Sequence, residues 1–227
     1  MSGEIAVGFF RHGTEVLLVR YADRSPERWD AVSVPIPVRS DADENSVRRR
    51  LGSAVGIDTP TFVRSADPIE AGNDTIERPV RPYLFECDAR ETAFDESIAA
   101  GEWVQPPAML DREIVPGLWR AYRSIAPSVR TIREDTEHGA GFVSLRALEA
   151  LRDRAATAAV TDEGYEPVAA TARDLRRARP SMRVIETRID RVMANAERTP
   201  ASVRDRAMAA CTAAVRSGAT AAERAAS

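Results

Sequence analysis

Apolar and polar positions divide this chain into two halves with different periods. Residues 4–10 (EIAVGFF) and 15–20 (EVLLVR) are apolar runs joined by the polar turn Arg11-His12-Gly13-Thr14, which predicts a β-hairpin. A polar loop, ADRSPER, leads to Trp29 and then to AVSVPIPV, a third strand. Around residues 46–55 the spacing becomes helical, with Val47, Leu51 and Ala54 on one face and Arg48, Arg49 and Arg50 on the other. Residues 66–78 read as an exposed loop placed to border a ligand cleft, and residues 82–87 (PYLFEC) as a strand. Glu102-Trp103-Val104 reads as a further strand, leading into a short proline-bounded helix with Pro106, Pro107 and Leu110.

After about residue 125 alanine and arginine dominate, and apolar residues recur every three or four positions. Residues 142–158 place Phe142, Leu145, Leu148, Leu151 and Ala155 on one face. A short helix is predicted around Leu175 within 166–178, and residues 181–197 carry a stripe of Met182, Ile185, Ile189, Val192 and Met193 that reads as core packing. Thr199-Pro200 supplies a cap and a first-turn proline for a helix through about residue 216. Short connections between such helices predict an antiparallel bundle. The expected class is therefore α+β, a mixed β-sheet/α sandwich followed by an all-α bundle.

Composition narrows the setting. The chain has 227 residues, 44% of them hydrophobic and 30% charged, enough for one large core or two modest ones. No apolar run approaches the roughly 18 residues of a membrane span, and no basic segment precedes a cleavable apolar core at the N-terminus; a cytoplasmic protein without a membrane partner is expected. Its net charge of −3 argues against general nucleic-acid binding. All 32 lysine-plus-arginine residues are arginine, which points to a GC-rich, salt-adapted archaeal source. Cys87 and Cys211 read as buried small hydrophobes rather than a bridge, and their spacing fits no zinc site. His12 and His138 fall in turns without a paired Ser or Cys nucleophile; His138 reads as a surface residue or, alternatively, a phosphate contact.

Residues 41–57, DADENSVRRRLGSAVGI, resemble the Nudix hydrolase signature. That signature reads Gly, five residues, Glu, seven residues, Arg-Glu, aliphatic, any, Glu-Glu, any, Gly, aliphatic. Arg49, Leu51, Gly56 and Ile57 match it, whereas Pro35 replaces the first Gly, Asp41 the first Glu, Arg50 the second, and Ser53-Ala54 the Glu pair. The order of strands, tryptophan, helix and proline-bounded short helix extends the resemblance over about residues 4–125. In the family those glutamates share one helix face and hold the divalent metal that neutralises phosphate charge and positions water. Arginine cannot ligate a cation, so the resemblance implies a Nudix-like fold without hydrolysis. Asp41, Asp43 and Glu44 read as helix-start charges, and the arginine run as a solvated face paired with them or as a phosphate clamp.

The second half carries another resemblance. His138-Gly139-Ala140-Gly141 and ARDLRRARPSMRVIETRIDRVM at 172–193, with Arg179-Pro180-Ser181-Met182 at a helix start, are similar to the N-terminal helical domain of the translation initiation factor 2B alpha/beta/delta family, which includes archaeal ribose 1,5-bisphosphate isomerases. The likeness covers about residues 130–220. That family's catalytic cysteine, aspartate and sugar-phosphate pocket lie mainly in a following Rossmann-like domain, which is absent before Ser227; a fragment of a fused isomerase, a truncated product and a standalone regulatory piece stay open. Cys211 matches no catalytic position.

The expected organisation is a Nudix-like domain at 1–125, a linker at 126–140 and a helical domain at 141–227. The first functional reading is a catalytically degenerate Nudix-fold protein that binds a nucleotide or sugar phosphate without cutting it and needs no cofactor. Trp29 and Phe85 would line the ligand site and Arg49 would meet phosphate, while the helical domain assembles with itself or an initiation factor 2B-like partner. The second is a divergent hydrolase of nucleoside diphosphate derivatives, with Mg²⁺ held by Asp41, Glu44 or downstream acids such as Glu86 and Glu102.

Overall fold

The computed structural model describes residues 4–25, 27–36, 44–70 and 79–226, with side chains to residue 218. The chain divides into two units, Met1–Ala126 and Pro127–Ser227. Their classes are those expected, α+β followed by all-α.

In the first unit, the described residues form strands β1 (Glu4–His12), β2 (Glu15–Tyr21), β3 (Val32–Ile36), β4 (Thr61–Ser65), β5 (Ile69–Glu70), β6 (Pro79–Glu86) and β7 (Ile98–Val104). They make one mixed sheet in the order β4-β6-β1-β2-β7, with β3 paired to β1 and β5 to β6. Helix α1 (Glu44–Val55) lies on one face; a short 3-10 helix (Pro106–Asp111) and α2 (Leu118–Ile125) lie on the other. The central strand β1 is apolar on both faces because both are covered. Ala6 and Phe10, with Leu17, Val32, Tyr83 and Phe85, pack under Val47, Leu51 and Val55 of α1. Val7 and Phe9, with Leu18 and Leu84, pack against Met109 and against Leu118, Tyr122 and Ile125 of α2.

In the second unit, α3 (Val129–Glu134), α4 (Ala140–Thr161), α5 (Glu166–Ala178), α6 (Arg183–Asn195) and α7 (Pro200–Ala226) follow in order. One core joins Val143, Leu151 and Ala155 of α4 to Val168 and Leu175 of α5, Ile185 and Ile189 of α6, and Val203 and Cys211 of α7. The expected methionine–isoleucine stripe is therefore core, with Met182 and Met193 at its margin. Thr199 Oγ1 accepts from Ser202 N at 3.2 Å, the cap anticipated for α7. That helix continues to Ala226, past the expected end.

Two features differ from expectation. The stretch 126–140, read as a linker, contains α3, started by a reciprocal Ser128–Thr131 capping box and anchored by buried Ile132. Helix α4 is buried beyond its apolar face: Arg146 bonds both Glu149 oxygens at 2.7 Å, and fully buried Arg152 donates to Asp153 at 2.7 Å. Side-chain pairing lets a helix with a weak apolar stripe be enclosed.

Candidate functional site

β1 uses one edge for β6, along Ile5–Arg11. Its other edge pairs with β3 over Glu4–Gly8 but with β2 only at Arg11 and His12. β2 and β3 therefore lie on the same side of β1; a bridge between Val19 and Asp30 ties β2 to the stretch before β3, and beyond it the outer edge of β3 pairs with no described strand. Every outward backbone group on that edge at Ser33 and Pro35 is taken by chemistry rather than by another strand. Ser33 N donates to the Tyr21 hydroxyl at 2.7 Å, and that hydroxyl lies 3.4 Å from Ser33 O. Pro35 has no N–H, and its carbonyl accepts from Arg50 Nη1 at 2.8 Å.

This last bond orients α1. Positions 50, 53 and 54 share one helix flank, as i, i+3 and i+4 neighbours do, and Arg50 shows that this flank faces the edge of β3. That flank, aligned with the glutamates of the signature in the sequence comparison, carries Arg50, Ser53 and Ala54. A hard divalent cation needs carboxylate oxygens; a guanidinium, a hydroxyl and a methyl do not fit it. Among the described residues no group of three His, Cys, Asp or Glu side chains converges to hold a metal. Glu44 stands exposed in the first turn, six positions before Arg50.

A polar cluster forms at Ser33. Arg24 Nη1 donates to Asp30 Oδ2 at 2.5 Å, Arg24 Nη2 donates to Ser33 Oγ at 3.0 Å, and the guanidinium lies 3.9 Å from the Tyr21 ring centroid. Asp30 also accepts from Ala31 N at 2.8 Å and is nearly inaccessible. Burial raises its carboxyl above the ordinary aspartate range despite the Arg24 charge and the Ala31 hydrogen bond, which pull the other way. Burial likewise raises Tyr21, so its phenol stays protonated and donates.

A raised folded pKa has a definite consequence for stability. Asp30 favours folding most below its ordinary range and loses that contribution as pH climbs through the raised value. Urea denaturation of the protein and of Asp30→Asn at pH 4 and pH 7 is expected to show the parent faring better against the variant at pH 4. A gap that stays constant across these pH values contradicts the assignment.

The residues anticipated from sequence do not meet at one place. Phe85 is 0% exposed, stacked on Phe10 at 5.4 Å and on Tyr83 at 6.3 Å, with no surface to offer a ligand; its expected role is corrected to core packing beneath α1. Trp29 packs with the core on the α2 face, where the Arg20 and Arg112 guanidinium carbons each lie 5.0 Å from its ring centroid. Arg49 is exposed on α1, on the opposite side of the sheet from Trp29. Asp41 and Asp43 lie outside the described residues, so their pairing with the arginine run does too. Of the downstream acids, Glu86 binds Arg11 at 2.5 Å and Glu102 binds Arg112 at 2.7 Å and 2.8 Å. His12 pairs with the Cys87 carbonyl, and His138 with Asp135 and the Phe142 ring. Both cysteines are free and buried, their thiols pushed up to about 12 by desolvation. Arg24, Tyr21, Asp30 and Ser33 escaped sequence reading because their signal is three-dimensional: a loop residue, a strand end and a strand edge meet only after β2 and β3 diverge.

No family model matches the chain, and no curated protein does. Solved structures do resemble it. A Nudix hydrolase from M. smegmatis, RenU, is 17% identical, with 53% of this chain and 80% of that chain covered at a TM-score of 0.43. The NUDIX domain of Shewanella oneidensis NrtR, complexed with ADP ribose, is 10% identical, with 55% and 86% covered at 0.45. The MutT protein from Methanosarcina mazei Go1 is 19% identical, with 53% and 89% covered at 0.43.

Proposed function

We propose that the first unit is a Nudix-like domain that binds a phosphate-bearing small molecule, a nucleotide or sugar phosphate, without metal and without cutting it. One observation carries this reading: Arg50, on the α1 flank that faces the outer edge of β3, puts a fixed positive charge where the signature has a metal-holding glutamate. Guanidinium groups meet phosphate directly through paired N–H donors. Arg50 spends one N–H on Pro35, so an anion beside the outer edge of β3 gains a partly ordered cation. We assign the helical unit to assembly, with a second copy of the chain or with an initiation factor 2B-like partner. No helix among the described residues is long and apolar enough to cross a membrane.

Purified protein in EDTA is expected to show thermal stabilisation by nucleoside diphosphates or sugar phosphates, lost in Arg50→Ala, with no product released on adding Mg²⁺ or Mn²⁺. Metal-dependent turnover that disappears in Glu44→Gln or Asp41→Asn overturns the proposal in favour of a divergent hydrolase.

A further inference from the structure

His138 and Asp135 form a carboxylate–imidazole pair in the turn between α3 and α4. His138 Nδ1 lies 3.0 Å from both Asp135 oxygens. An ionised carboxylate only accepts, so Nδ1 carries the ring proton and the lone pair is left on Nε2. Partial burial works to raise the Asp135 carboxyl, but hydrogen bonds from the His138 amide and ring and from the Glu137 amide outweigh it and hold the group below its ordinary range. The imidazole is fixed in plane as well: it stacks on the Phe142 ring at a centroid distance of 4.1 Å and an interplanar angle of 17°. Nε2 meets no hydrogen-bond partner among the described residues, and the side chain keeps 47% of its surface. A turn staple accounts for the two amide bonds to Asp135 Oδ1, but not for an imidazole held by a carboxylate and a ring stack with its second nitrogen unoccupied.

From this geometry we infer that His138 Nε2 is a nucleophile that accepts a phosphoryl group. Histidine forms covalent intermediates when a neighbouring group orients and activates it. In the step, the Nε2 lone pair forms the N–P bond while the bond from phosphorus to the donor's leaving group breaks, and that group departs with the electron pair. The donor class is a phosphoramidate or an acyl phosphate, whose leaving group is ammonia or a carboxylate. The ring proton stays on Nδ1, where the Asp135 carboxylate offsets the positive charge that the imidazole gains. Placement of the product favours phosphoryl over other electrophiles. His138 immediately precedes Gly139, the N-cap of the 22-residue α4, which has no side-chain cap. The amides of Ala140, Gly141 and Phe142 have no hydrogen-bond partner among the described residues, and a Cβ at Gly139 or Gly141 would meet nothing within 4 Å. A phosphoryl dianion beside them meets the positive end of α4. His12 lacks the charged partner, since its Nδ1 pairs with the Cys87 carbonyl at 2.9 Å. His138 lies in the second unit, so this inference stands apart from the phosphate binding proposed for the first.

Incubation of the full chain with phosphoramidate, followed by mass spectrometry of the intact protein and of its peptides, tests it. His138 is expected to gain one acid-labile phosphoryl group about tenfold faster than His12, the chain's other histidine. Asp135→Asn is expected to slow the labelling of His138 by about tenfold while His12 keeps its rate, the size typical for losing a carboxylate behind a histidine. Asparagine keeps an oxygen acceptor for the turn amides; if that variant still fails to fold, the ratio between the two histidines of the wild-type protein decides alone. Labelling is also expected to raise the melting midpoint of the helical unit, followed by circular dichroism. No labelling of His138, equal rates at the two histidines, or a wild-type rate at His138 in folded Asp135→Asn overturns the nucleophile. A midpoint unchanged or lowered overturns the part given to α4 in holding the product.

Discussion

Phe85→Ala is expected to destabilise the first unit by about 3–5 kcal/mol, the range for deleting a buried aromatic side chain. The ring is wholly enclosed, with Phe10, Tyr83 and Phe62 at centroid distances of 5.4, 6.3 and 6.1 Å. It belongs to the cluster that seats α1 on the sheet, so the cavity opens under the helix that forms one wall of the candidate site. Domains are typically stable by about 5–15 kcal/mol, so such a loss consumes a large part of the total. The three tryptophans, Trp29, Trp103 and Trp119, all fall within the first unit. Their fluorescence during urea denaturation therefore reports this unit without the helical one. A shift below about 1 kcal/mol, with phosphate binding lost, would return Phe85 to the ligand role read from sequence.

That contrast marks where sequence reading reaches its limit. Apolar runs bounded by polar turns located β1, β2 and β6, and three-to-four spacing located α4, α5 and α6, because burial follows from the pattern of each element's own residues. Phe85 shows what an apolar run leaves open: a strand inside a two-sided sandwich is apolar throughout, so its sequence does not separate core from cleft. β4 was missed because TFVRS is five residues with a register shift between Phe62 and Arg64, too short and irregular for a period-two pattern. α2 and α3 were legible in retrospect. Leu118, Ala121, Tyr122 and Ile125 follow helical spacing, and Ser128 with Thr131 caps the next helix.

The candidate site divides along the same line. The absence of acids at 50, 53 and 54 was readable, since it depends only on residue identity in one helix. The use made of the replacement was not. Arg50 closes a strand edge through a carbonyl fifteen residues away, a contact that exists only once β3, paired to β1, lies beside α1. Edge strands expose unpaired backbone groups that invite pairing with other chains; here a proline, a phenol and a guanidinium close the Ser33–Pro35 edge. Arg50 and Pro35, two positions at which the chain departs from the pattern it resembles, therefore also close this strand edge.

The second large effect is expected at Gly56, which ends α1 with φ of 67°. An L-residue in that left-handed region costs roughly 1–2 kcal/mol, and a Cβ there would lie 2.7 Å from both the backbone nitrogen and the Cβ of Ala93. Backbone cannot swing aside as a flexible side chain does, so the segment around Ala93 must move. That segment caps the helix: Ala93 N donates to Val55 O at 2.9 Å and Asp95 N donates to Ala54 O at 3.2 Å. Losing those bonds exposes the last carbonyls of α1, each worth about 0.5–1.5 kcal/mol net. Gly56→Ala is expected to cost about 2–4 kcal/mol in the tryptophan-reported transition. It should also weaken phosphate binding, because the same helix end positions the flank bearing Arg50. The helical unit, followed by circular dichroism once the first unit has unfolded, should keep its own midpoint. A loss under about 0.5 kcal/mol would mean that the segment at 93–95 yields freely and that α1 is not held at its C-terminus by those two hydrogen bonds.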